Sequence, residues 1–151
     1  MTRYISMFSM IDENVESQVT LGTDSKVSVM GKGRVSVLTN KGEGRSISNV
    51  YYVPDMKCNL LSIGQHIQKG YNVFFEDDVC IIMDKPPRKK CIAEVKMTRN
   101  KMFPLKMRAD LKKGAAMAVA TEETFQREAK DEHWLWHLIF GHLNFRSKST
   151  R

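Results

Sequence analysis

Between residues 17 and 105 apolar and polar side chains alternate with a period close to two, in short β-branched runs cut by Gly, Asn and Asp. That alternation marks strands with one buried face, joined by hairpins. It predicts strands near 17–21, 26–30, 34–39 and 45–53. Gly22-Thr23-Asp24-Ser25, Gly31-Lys32-Gly33 and Asn40-Lys41-Gly42-Glu43-Gly44 are read as the turns between them. The fourth strand stops at Pro54, which offers no ladder donor and a fixed φ. The period then lengthens: Leu60, Leu61, Ile63 and Ile67, with His66 between them, predict one short helix over 60–69, closed by Gly70. Alternation returns at 71–75 and 79–83, a hairpin across the acidic turn Glu76-Asp77-Asp78. Strands near 91–97 and 101–105 follow, joined at Thr98-Arg99-Asn100. Val50, Tyr52, Leu60, Leu61, Ile63, Val73, Phe75, Ile81 and Ile82 are the expected core, each buried side chain contributing roughly 1.5 to 3 kcal/mol. Beyond 108 the pattern is lost. An Ala, Glu and Lys-rich stretch reads as a linker, and the aromatic segment with Trp134, Trp136, Phe140 and Phe145 reads as a short terminal helix. The fold class is mainly β, with one short internal helix and a helical C-terminal segment.

A chain of 151 residues supports one domain with an appendage. No apolar stretch approaches the roughly 18 residues that span a bilayer, so no membrane partner is expected. The N-terminus carries no basic region followed by an apolar core, and the expected location is the cytoplasm. Three cysteines, Cys58, Cys80 and Cys91, fit neither a disulfide framework nor a thiolate zinc knuckle and are read as free thiols. The net charge of +7 is concentrated: residues 85–113 hold eleven Lys or Arg against Glu94 and Asp110. Arg88, Lys89, Lys90, Lys96, Arg99 and Lys101 are therefore candidate contacts to a nucleic-acid backbone, with a solvated basic face as the plain alternative. Phe103 is the single aromatic in that zone, so a stacking platform for single strands is missing.

Enzymatic signatures are scarce. No strained Gly-x-Ser-x-Gly turn is present. The Asp-Thr-Gly or Asp-Ser-Gly turn that lets two aspartates share a proton is also absent, because Asp24-Ser25 is followed by Lys26. Glu76-Asp77-Asp78 lacks the alternating oxygen ligands of a calcium loop, and Gly31-Lys32-Gly33 has no helix behind it to cradle phosphate. His137 and His142 offer two imidazoles to a tetrahedral zinc site, but a structural site takes four ligands. Histidines packed beside Trp134, Trp136 and Phe140 are the other reading.

The run Asn49-Val50-Tyr51-Tyr52-Val53-Pro54-Asp55-Met56-Lys57-Cys58-Asn59-Leu60-Leu61-Ser62-Ile63-Gly64-Gln65 resembles the Pol polyprotein of plant-type copia LTR retrotransposons. Lys69-Gly70-Tyr71, Phe75-Glu76-Asp77, Cys80-Ile81-Ile82 and Lys96 to Leu105 follow the same polyprotein in order. Trp134-Leu135-Trp136-His137 with Gly141-His142-Leu143-Asn144-Phe145 is similar to the GAG-pre-integrase segment that opens the integrase. The resemblance implies a retropepsin-like β-barrel over 1–107, incomplete, then a linker over 108–129 and the start of a zinc-binding integrase segment over 130–151. It implies that Met1-Thr2 ends the stretch following the catalytic Asp-Ser-Gly turn, so that the protease aspartate lies upstream and no catalytic residue is in this chain. Asn59-Leu60-Leu61-Ser62-Ile63-Gly64 is similar to the hydrophobic-hydrophobic-Gly corner supporting that active site. His137 and His142 match the histidines of the His-His-Cys-Cys zinc motif, whose Cys pair would fall beyond Arg151, and Ile139 stands where relatives carry Arg.

The expectation is a Pol fragment without catalysis of its own and with no cofactor, zinc entering only with that Cys pair. The alternatives are part of a working aspartic protease and integrase polyprotein, or a barrel that binds nucleic acid. Loss of a first strand would also leave a sheet edge open to self-association.

Overall fold

A computed structural model describes residues 1–21, 24–39, 41–110, 134–139 and 145–146. Strands dominate, as the alternation predicts, and among the described residues they form three sheets without closing a barrel. The chain enters through a short 3-10 turn, Ile5–Met7, into β1 (Phe8–Asp12), a strand the sequence pattern did not disclose. β2 (Ser17–Thr20) and β3 (Lys26–Val29) make the first predicted hairpin, turning at Asp24 with φ 58°.

The second predicted hairpin does not form. Gly31-Lys32-Gly33 is no turn but the start of β4 (Gly31–Leu38), which leaves β3 and joins a larger sheet. A close approach explains its glycine: a Cβ on Gly33 would lie 2.0 Å from the carbonyl oxygen of Met10 in β1. The register slips at this point on both sides of β4. On β1 the slip falls between Phe8 and Met10, and in β5 (Gly44–Tyr52) it leaves Asn49 unpaired at φ 61°. Such bulges bend a strand and increase its twist.

The helix is shorter than predicted. Leu60 and Leu61 belong to β6 (Asn59–Ser62), whose burial alternates, and α1 spans only Ile63–Gln68. Ser62 caps it, its side chain accepting from the amide of Gln65 at 3.3 Å, an N-terminal signal readable in Ser-x-x-Gln. Gly70 follows the helix end at φ +90°, as expected of a C-terminal glycine.

β7 (Asn72–Glu76) and β8 (Val79–Met83) form the predicted hairpin, and β9 (Cys91–Lys96) completes a three-stranded sheet. Its two-residue turn, Asp77 and Asp78 with φ 44° and 63°, has the two positive φ values of a type I′ hairpin. The turn predicted at Thr98–Asn100 forms through Thr98 and Met102, yet β10 (Phe103–Ala109) pairs with β4 rather than with β9.

The aromatic segment departs most from expectation. Trp134–Ile139 is not helical but a strand, β11, antiparallel to β10 and parallel to β6. Trp136 and Leu138 are both buried, the spacing of two that a strand requires. A two-residue strand, β12 (Phe145–Arg146), pairs with β2. Most of the stretch read as a linker lies outside the described residues.

The main core brings Val35, Val37, Val50, Leu105, Met107, Trp136 and Leu138 of the large sheet against Cys80, Ile82 and Val95 of the β7–β8–β9 sheet. A smaller core of Met1, Val19, Val29, Val53 and Met56 lies beneath the first hairpin. Val50, Leu61, Ile63 and Ile82 are buried as expected, whereas Phe75 is 42% exposed at the edge strand β7.

Candidate functional site

The basic residues singled out in the sequence do not form one surface. Arg88, Lys89 and Lys90 project from the loop between β8 and β9, and all three are exposed. Lys96, Arg99 and Lys101 sit at the far end of β9 and in the turn after it, also exposed. Six steps of extended chain from Lys90 to Lys96 separate the two groups by about 20 Å, so a single compact ligand does not reach both. Within the first group Lys90 is tied to Glu43 in an ion pair. Arg88 and Lys89 form no ion pair among the described residues, although the Arg88 charge helps to lower the Asp84 pKa.

Behind that loop the large sheet and the β7–β8–β9 sheet are joined by charge. Arg45 on β5 donates to Asp84, at the end of β8, at 3.0 Å, and to Glu43 at 3.4 Å. The Asp84 side chain is 8% exposed and that of Arg45 24%, so the pair is partly withdrawn from water. The Arg45 hydrogen bond holds the Asp84 carboxyl below its usual range, assisted by the amide of Lys85 at 2.8 Å.

Next to this pair, between β5, α1, β8, β9 and β10, opens a cavity of about 330 Å³. Ile47, Leu61, Ile82, Ile92 and Leu105 form apolar walls, and His66, Lys69 and Lys85 are the basic groups of its α1 side. Lys69 donates to the carbonyl of Ser48 at 2.7 Å, and Lys85 lies 5.0 Å above the centre of the Tyr71 ring. Burial lowers the Lys69 pKa, and repulsion from Lys85 adds to it. The Nδ1 atom of His66 is 3.0 Å from the carbonyl of Ser62. A carbonyl only accepts, so Nδ1 carries the proton of the neutral ring. Burial pushes the imidazole below its ordinary pKa, with the Ser62 contact acting in the opposite sense. Leu61 and Ile82 are legible in the sequence as core positions, but the cavity is not, because a helix, a loop and five strands bring these residues together only in the folded chain.

Asp24 sits exposed at the tip of the first hairpin. Glu76, Asp77 and Asp78 form an exposed turn as expected. Cys80 is fully buried and its thiol is pushed up to about 11 by burial, which leaves an inert apolar side chain. His137 lies on β11, paired opposite Pro104 and Leu60, while His142 is outside the described residues. No group of three or more His, Cys, Asp or Glu side chains converges among the described residues. No helix among them is long and apolar enough to cross a membrane.

Compared with known protein families, residues 1–71 match the Pol polyprotein β-barrel domain. No curated protein and no solved structure matches the chain.

Proposed function

We propose, from the match of residues 1–71 to the Pol polyprotein β-barrel domain family, that the chain is a copia-type Pol segment without proteolytic activity of its own. The observation that carries this reading is the position of Asp24. It stands in the chain's one Asp-Ser pair, and it is exposed at a hairpin tip rather than enclosed beside a second carboxylate. A shared proton requires two carboxyls in contact and shielded from water. Incubation of the purified chain with a library of decapeptides tests the proposal, with mass spectrometry expected to find no pepstatin-sensitive cleavage. Cleavage lost in Asp24→Asn refutes it.

The likeness of Trp134 to His137 and of Gly141 to Phe145 to the GAG-pre-integrase segment supports assigning residues 130–151 to the start of integrase. Their zinc half-site then needs thiolates from elsewhere.

A second reading, contact with nucleic acid, is favoured by the exposed Arg88 and Lys89, neither held in an ion pair among the described residues. Each phosphate neutralised steepens the salt dependence of binding to duplex DNA by about 0.9 in the log-log slope. Reversing Arg88 and Lys89 to Glu is expected to lower that slope by about 2 in a filter-binding titration. Affinity that ignores salt, or a slope unmoved by the reversal, counts against this reading.

A further inference from the structure

The basic loop and the absent protease turn leave the cavity behind α1 unexplained. We propose that this cavity binds a medium-chain aliphatic carboxylate, its tail against Ile47, Ile82 and Ile92 and its head between Lys69 and Lys85. This goes beyond the Pol reading and does not depend on it.

Size sets the first limit. At about 330 Å³ the cavity is at the small end of ligand pockets, which run from roughly 300 to 1,000 Å³. A nucleotide would place a polar ribose and base against the isoleucines, an unfavourable exchange for groups hydrated in water. A single aliphatic chain matches both the volume and the walls.

Charge sets the second. Lys69 and Lys85 both line the cavity, and the charge of Lys85 acts against that of Lys69. Neither is paired with a carboxylate among the described residues. Asp84, the neighbour of Lys85 in the chain, is already engaged by Arg45 at 3.0 Å and by the Lys85 amide at 2.8 Å. Lys69 spends one of its three donors on Ser48 and keeps two. The stem of Lys85 packs 3.8 Å from where a Cβ of Gly70 would stand, and its ammonium lies over Tyr71, so its position is held without an anion. A carboxylate between the two ammoniums relieves their repulsion and gains two charge-assisted hydrogen bonds beside an apolar wall, where such bonds are strongest. A neutral head leaves the repulsion in place and accepts only weaker hydrogen bonds, and a cationic head adds to the repulsion.

Calorimetric titration of the full chain with decanoate, below its micelle concentration, tests this directly. One saturable site is expected. Decanol, with the same tail, is expected to bind at least tenfold more weakly, and decyltrimethylammonium to give no saturable heat. Lys69→Met with Lys85→Met keeps both stems and is expected to reduce decanoate affinity at least tenfold, while the Arg pair at the same positions retains it. Ala93→Phe, which fills the cavity from β9, is expected to abolish binding with an unchanged circular dichroism spectrum. The proposal is overturned if decanoate gives no saturable heat, if decanol binds as tightly, or if the double Met variant binds decanoate like the parent.

Discussion

Replacing Trp136 by Ala asks whether β11 is an integral strand of the large sheet. Its side chain is fully buried in the main core, opposite Leu105 on β10 and Asn59 on β6. A buried indole removes about 150 to 250 Å² from water, which at about 25 cal/mol per Å² is roughly 4 to 6 kcal/mol. A compact unfolded chain reduces that figure, and observed Trp to Ala losses run at about 3 to 5 kcal/mol. One term acts the other way. The Nε1 atom of Trp136 is buried without a hydrogen-bond partner among the described residues, which costs the native state about 1 to 3 kcal/mol. Truncation relieves that cost, so the expected net loss is about 3 kcal/mol. With a urea slope of about 2 kcal/mol per molar, the unfolding midpoint should fall by about 1.5 M. Circular dichroism across a urea series reads it. Trp136→Phe separates the two terms, since it keeps most of the apolar area and deletes the unpaired N–H. Its expected change is within about 1 kcal/mol. A midpoint shift under about 0.3 M for the Ala variant would show that β11 is not packed into the core. Equal losses for Ala and Phe would show that the buried apolar area, which only the Phe variant keeps, carries no weight.

Three further outcomes follow from particular residues. Asp84→Asn should cost about 2 kcal/mol by breaking the partly buried clamp to Arg45. In the parent, the stabilisation from the lowered Asp84 pKa is complete above the unfolded value of 3.8 and disappears as pH falls through the folded one. Acid titration of the urea midpoint in both proteins checks this. His66 has a folded pKa below the ordinary 6.5, so the unfolded chain takes up its proton first. Stability should fall as pH drops through 6.5 and level off below the folded value, and His66→Gln should flatten that part of the profile. Gly33→Ala should destabilise by at least about 2 kcal/mol, because its Cβ would meet the Met10 carbonyl oxygen at 2.0 Å. Gly42→Ala, at φ +77° with nothing within 4 Å, should cost only about 1 kcal/mol, and thermal melts of the two variants compare them.

Alternation and turn chemistry determined the local structure of most strands between residues 17 and 96. The hairpin at Asp77 and Asp78, the turn at Gly42, the strand ending before Pro54 and the glycine after α1 all follow from residues adjacent in the chain. Family origin was likewise written in the run from Asn49 to Gln65, which lies within the stretch that matches the Pol barrel family.

Only the tertiary structure decided which strands share a sheet. Gly31-Lys32-Gly33 carries turn residues, yet it is extended, because its glycines serve the approach of β1 rather than a reversal of the chain. Leu60 and Leu61 fit a helix by spacing and a strand by burial, and parallel pairing with β11, more than seventy residues away, settles the matter in favour of the strand. Trp134 to Ile139 is the same case seen from the other partner. Short apolar runs are ambiguous in isolation because period two and period 3.6 differ little over six residues. The cavity was illegible for a related reason: His66, Lys69 and Lys85 become neighbours of Ile47 and Ile92 only when the two sheets close on each other, and no local rule reports that distance.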